Sequence, residues 1–183
     1  MVRLSFALTL LAAPALADCY DLGIPHIVHF DHGGDARILS STARDITFSS
    51  PTPDRSPVVT TLRYGLYPMT RADHGVTFRY EWQSDLPDPR KLALGPSLVL
   101  DADLSVEHAT RLHFQIEIKV LRDDILTLNA CPYKVRLIAL TDRLNGQITE
   151  QMTQWFAPDL MFSLRTDRLI PPPAMTLGAI GLE

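Results

Sequence analysis

The sequence predicts an all-β chain: a single antiparallel domain of roughly 8–10 strands, folded as a curled sheet, a half-barrel or a sandwich. Three observations carry this expectation. Apolar and polar residues alternate with a period of two over long stretches. Turn signals built on Gly, Asn and Pro recur at short intervals between those stretches. Helical periodicity is sparse, and its best instance is one turn over residues 103–108.

From the N-terminus, residues 1–17 read as a secretory signal peptide: Arg3, an apolar run over residues 4–13, then Ala15-Leu16-Ala17. The run is shorter than the ~20 residues a bilayer span needs, and the small residues suit cleavage before Asp18. Leu16-Ala17-Asp18-Cys19 approaches a lipobox, but Asp18 stands where a small uncharged residue belongs. Residues 24–31 and 36–48 are predicted strands around the turn His32-Gly33-Gly34-Asp35. Residues 49–57 and 86–96 are Pro-rich and predicted to be long loops. Residues 58–67 and 76–82 are predicted partners, joined through Arg71-Ala72-Asp73-His74-Gly75. Over residues 112–120, Leu, Phe, Ile, Ile and Val fall on one face and His, Gln, Glu and Lys on the other, a half-buried strand. Residues 133–143 and 147–156 flank Asn145-Gly146, a hairpin turn signal. A turn at Ala157-Pro158-Asp159-Leu160 leads to a strand over residues 161–169. Residues 18–183 thus form one β domain, ending in a partly ordered Pro-rich tail from about residue 170.

The segments Cys131-Pro132-Tyr133-Lys134-Val135, the Asn145-Gly146 hairpin and Thr153-Gln154-Trp155-Phe156-Ala157-Pro158-Asp159-Leu160 resemble the end of small uncharacterised periplasmic β proteins of Gram-negative bacteria. The strand, W-F-x-P-x-L turn and strand are also similar to the closing strands of curled-sheet carriers of the lipoprotein-localisation type. The likeness spans a limited stretch of the chain and brings no catalytic residue. It implies the architecture, and the binding of an apolar ligand.

Composition excludes several functions. A formal charge of −4, made more negative when Arg3 leaves with the signal, offers no electrostatic footprint for nucleic acid. Beyond the signal no apolar run is long enough for a transmembrane helix. Cys19 and Cys131 are the two cysteines, and in an oxidising compartment the expected state is a disulfide between them rather than a reactive thiol.

Three constellations are candidates for chemistry. His26, His29 and His32 suit zinc or copper, but on a strand His29 faces away from the other two, so hairpin positions in solvent are the plainer reading. Asp101, Asp103, Asp123 and Asp124 form pairs of the kind acid/base catalysis uses, and equally of the kind turns use for solubility. Phe78, Tyr80, Trp82 and Trp155 either fill a core or line an apolar cavity. No nucleophile elbow, phosphate loop or HExxH motif is present. The function these features support is a non-enzymatic binding or accessory protein of the bacterial envelope, periplasmic or secreted. Its partner would be an apolar small molecule or another envelope protein. A periplasmic metal-binding protein using the three histidines is the alternative, and an enzyme of unrecognised type the third.

Overall fold

In a computed structural model, residues 19–20, 23–31, 34–52, 55–106 and 111–183 are described. The signal-like segment 1–17 and His32 lie outside these residues. Strands β1 (Ile27–Phe30), β2 (Asp35–Ser41), β3 (Asp45–Thr52), β4 (Arg55–Arg63), β5 (Tyr67–Asp73) and β6 (Val76–Trp82) are followed by a 3₁₀ turn at Pro89–Lys91. Strands β7 (Ser97–Val106), β8 (Leu112–Leu128), β9 (Cys131–Leu144), β10 (Gln147–Ala157), β11 (Phe162–Ile170) and β12 (Met175–Leu182) complete the chain. Each strand pairs antiparallel with the next, and β1 pairs with β12 as well as β2, so twelve strands close into a barrel.

The all-β, antiparallel, single-domain expectation therefore holds, and the open sheet or sandwich of fewer strands is corrected to a closed barrel. The difference has three local sources. The stretch 36–48 is two strands, because Thr42 Oγ1 accepts the N–H groups of Arg44 (3.2 Å) and Asp45 (2.9 Å) and turns the chain without Gly or Pro. The stretch 58–67 is likewise interrupted at Tyr64-Gly65, both at positive φ (51° and 71°). Only glycine serves at position 65, since an added Cβ would sit 2.0 Å from the Met161 carbonyl oxygen. Finally, the segment expected to trail off as a tail contains β12, which pairs with β11 on one side and β1 on the other. Two smaller expectations change as well. Residues 103–106 continue β7 rather than starting a helical turn, and the Pro-rich loop 49–57 is mostly β3 and β4, with Pro51 at a register shift.

Alternation decides which face turns inward. On β8, Phe114, Ile116, Ile118 and Val120 are buried, while His113 and Lys119 are exposed. The apolar faces meet in two clusters. One gathers Tyr67, Ala102, Phe114, Ile116, Ile118, Ile138 and Phe156; the other gathers Val28, Ala36, Ile46, Val135, Phe162 and Leu164. In the first, rings pack edge to face: Tyr80 on Phe114 at 5.0 Å, Trp82 on Phe114 and Tyr67 on Trp82 at 6.0 Å. Trp82 Nε1 donates to the Pro68 carbonyl at 2.9 Å, so the one polar atom of that ring is satisfied.

β8 and β9 outrun their neighbours. β7 accompanies β8 only to the Ser97–Lys119 pair, and β10 accompanies β9 only to Phe156–Arg136. Beyond these points the hairpin is a two-stranded arm, entered through a bulge between Val120 and Arg122. Leu126, Leu128, Tyr133 and Val135 on its inner face join the second apolar cluster. At its tip Asn129 Nδ2 donates to the Ile180 carbonyl of β12 (2.9 Å), and Cys131 is bonded to Cys19 with Cα atoms 5.3 Å apart. The arm is thus held across one end of the barrel.

Candidate functional site

The outer face of the arm floors an open cleft of about 740 Å³. In the β8–β9 ladder Asp123 stands opposite Arg136 and Ile125 opposite Lys134, which puts all four on that face. Arg90, from the 3₁₀ turn, and Pro158 and Asp159, from the β10–β11 turn, form the walls.

Two of the arginines are fixed in place. Arg136 donates through Nε to Asp123 Oδ1 (2.8 Å) and through Nη1 to the carbonyls of Pro89 (2.7 Å) and Leu92 (3.0 Å). It thereby ties the arm to the 86–96 loop. Arg90 forks onto Asp88 (Nη2 to Oδ2, 2.7 Å), and Asp88 also accepts the Arg90 N–H at the start of the turn. The Arg90 side chain holds the Asp88 carboxyl below the usual carboxylate range, and Asp88 in turn raises Arg90. Asp124 is also lowered, first by the Ile125 N–H and then by Arg122. The Lys134 ammonium makes no hydrogen bond or ion pair among the described residues, Asp159 meets only the nearby charge of Arg90, and Ile125 is 63% exposed. Fixed arginines with one base and one acid not engaged in hydrogen bonds, and an apolar side chain, can recognise a polypeptide of mixed character.

The 86–96 loop also lies over β7 and β8, where an apolar slot of about 290 Å³ is lined by Pro87, Leu92, Leu98, Ile118 and Val120 among others. This slot is not the cavity expected of the aromatic residues. Phe78, Tyr80 and Trp82 pack in the first cluster, while Trp155 lies on the second with the Arg165 guanidinium 4.4 Å from its ring centroid.

Of the three candidate histidines, His26 and His29 are described, and their surroundings differ. His26 is exposed, whereas His29 is held between Asp35 (Nδ1 to Oδ1, 2.9 Å) and Glu183 (Nε2 to Oε1, 3.1 Å), which raise its pKa in that order. Among the described residues no three His, Cys, Asp or Glu side chains gather to hold a metal ion. Of the acidic candidates, Asp101 lies 3.2 Å from His113 Nε2, Asp103 3.6 Å from Arg111, Asp123 meets Arg136, and Asp124 meets Arg122. All four answer a nearby basic side chain.

One pair was missed by reading turns for acids. Asp142 faces buried Ile116 across the β8–β9 ladder and Glu150 across the β9–β10 ladder, so it shares the inward face. Burial first, and the Glu150 charge second, push its carboxyl up to about 7. Its Oδ1 is buried without a hydrogen-bond partner, while Glu150 Oε1 forms an ion pair with Arg168, 2.7 Å from Nε. The signal was present in the sequence, since Leu140, Asp142 and Leu144 occupy one parity of the strand.

Fold and site together define an up-and-down barrel with an apolar interior and a mixed-charge cleft on the arm across one end. The chain is similar in structure to the hypothetical lipoprotein YmcC from Escherichia coli (K12), with a TM-score of 0.50 and 8% identity, covering 86% of this chain and 83% of that one. The likeness is one of fold. No protein-family model and no curated protein matches the chain.

Proposed function

We propose that this is an exported, non-enzymatic accessory protein of the bacterial envelope that binds another envelope protein in the cleft over the arm. The single observation behind the reading is the cleft's construction. Arg136 and Arg90 are immobilised by their own hydrogen bonds, while Lys134, Asp159 and Ile125 remain available to a partner. Pre-organised walls reduce the ordering that binding requires.

Export is supported by the signal-like residues 1–17, by a cysteine pair suited to an oxidising compartment, and by the fold likeness to a lipoprotein. With Cys19 sulfur bonded to Cys131, that atom is not free for a lipid thioether, so a free periplasmic or secreted form fits better than anchoring through Cys19. A second reading, an apolar small molecule in the slot beneath the 86–96 loop, draws on its lining of Pro, Leu, Ile and Val side chains.

Site-specific photo-crosslinking in living cells tests the first reading. A photoreactive residue at Lys134 or Asp159 should trap one and the same protein, and the same residue at Arg79, exposed on β6, should not. Equal crosslinking from all three positions, or none from the cleft, would reject it. Native mass spectrometry before and after organic extraction tests the second, which requires a small-molecule mass that extraction removes.

A further inference from the structure

The arm leaves a strand edge open in a barrel that otherwise closes on itself. On the side of β8 that faces β7, the last backbone bond runs from the Gly95 N–H to the Val120 carbonyl, at 2.9 Å. From residue 121 to 127 that edge makes no backbone hydrogen bond among the described residues. The Ile125 N–H donates instead to Asp124 Oδ1, at 2.9 Å, which places this amide on the open edge. Leu121 and Ile125 are 43% and 63% exposed. An unpaired edge is a template for another strand, and natural proteins either guard it or use it.

This edge is complementary to itself. Laid antiparallel on a second copy with the two Asp123 residues facing, it sets Arg122 beside Asp124 of the second copy and Leu121 beside its Ile125, and the symmetry repeats both contacts. Within one copy Arg122 and Asp124 already answer each other (Nη2 to Oδ2, 3.1 Å), so pairing exchanges like partners across the axis. Each Asp123 is balanced by its own Arg136, at 2.8 Å, which offsets the facing like charges.

We propose that two copies of this chain associate through residues 121–125 of β8, joining their arms into one continuous sheet. The pairing is lateral: it engages Ile125 at the edge and leaves Lys134 and Asp159 open to the cleft's partner. It therefore goes beyond the function proposed above and does not depend on it.

Sedimentation velocity of the purified protein at micromolar concentrations tests this. The unsubstituted chain should sediment as a dimer. R122D and D124R should each be monomeric with unchanged circular dichroism, because each sets like charges across the axis. Mixed in equal amounts they should dimerise again, since one copy then offers two acids and the other two bases. A monomeric unsubstituted chain overturns the proposal, including the case in which a different protein occupies the edge. A dimer indifferent to both substitutions, or single variants whose mixture stays monomeric, also overturns it.

Discussion

Replacing Asp142 by Asn should stabilise the barrel, increasingly so as pH rises from about 4 to about 7. The carboxyl ionises near 3.8 when solvated and at about 7 in the fold, because burial and the neighbouring Glu150 both disfavour its charge. The native state therefore holds this proton more tightly than the unfolded chain does. The group supports folding fully below about pH 4, and that support is lost progressively up to about pH 7. Over the whole span the loss is on the order of 4 kcal/mol, at ~1.4 kcal/mol for each tenfold change in proton binding. This is a large share of an ordinary domain's stability. An Asn side chain keeps the shape and carries no charge, so D142N should match the parent protein near pH 4 and exceed it by up to about 4 kcal/mol at pH 8. Urea unfolding of both proteins at several pH values, with slopes that agree, measures the difference. His29 also holds its proton more tightly in the fold and weakens stability as pH rises, but it does so equally in both proteins. If the two curves ran parallel from pH 4 to pH 8, the argument from burial would be wrong.

Other perturbations address the rest of the framework. Reduction of the Cys19–Cys131 bridge, which spans a separation of 112 residues, should lower stability by up to ~4–5 kcal/mol in the chain-entropy picture; unfolding with and without reductant reads this, and alkylation of the unreduced, denatured chain should label no thiol. Trp82→Ala should lose ~3–5 kcal/mol in denaturant unfolding, because it empties a packed site and frees the Pro68 carbonyl. A loss of under ~1 kcal/mol with altered apolar-dye uptake would indicate a hollow interior instead. Gly65→Ala should destabilise by more than the ~1 kcal/mol typical of a point substitution, since it meets both a positive φ and the Met161 carbonyl; an unchanged thermal midpoint would contradict that close approach.

What was legible in the sequence was whatever a local pattern decides. β8 announces itself through Phe114, Ile116, Ile118 and Val120, and Asn145-Gly146 marks a turn whose two residues both adopt positive φ (50° and 80°). The strands that escaped notice depend on tertiary contacts. β12 contains Gly178, Ala179 and Gly181, poor strand formers by propensity. The closure of the barrel does not demand small residues there, since an added Cβ would meet only ordinary van der Waals contacts. An added Cβ at Gly178 would lie 3.4 Å from the Asp31 carboxylate, and one at Gly181 would lie 3.5 Å from the His29 ring. The same backbone donates the Gly178 N–H to Asp31 Oδ1 at 3.1 Å. What makes β12 a strand is its backbone pairing with β1 and β11, which no local pattern in residues 175–182 announces.

The cleft was hidden for a related reason. Its lining includes Arg90, Asp123, Lys134, Arg136 and Asp159, and nothing in their spacing along the chain unites them. The hint lay in the failure of a pattern. Alternation on β8 stops after Val120, where Leu121, Arg122, Asp123 and Asp124 follow one another without an apolar parity. In the structure that break is the bulge, and the bulge is where a barrel strand becomes an arm. A strand buried within a closed sheet has two neighbours to satisfy its backbone and one face to fill. Past the bulge, β8 retains only β9 as a regular partner, so its exposed face is free to carry charge and its edge is free to pair. An interrupted period in a long β hairpin is thus worth reading as a change of surroundings, from the barrel wall to a surface able to meet another protein.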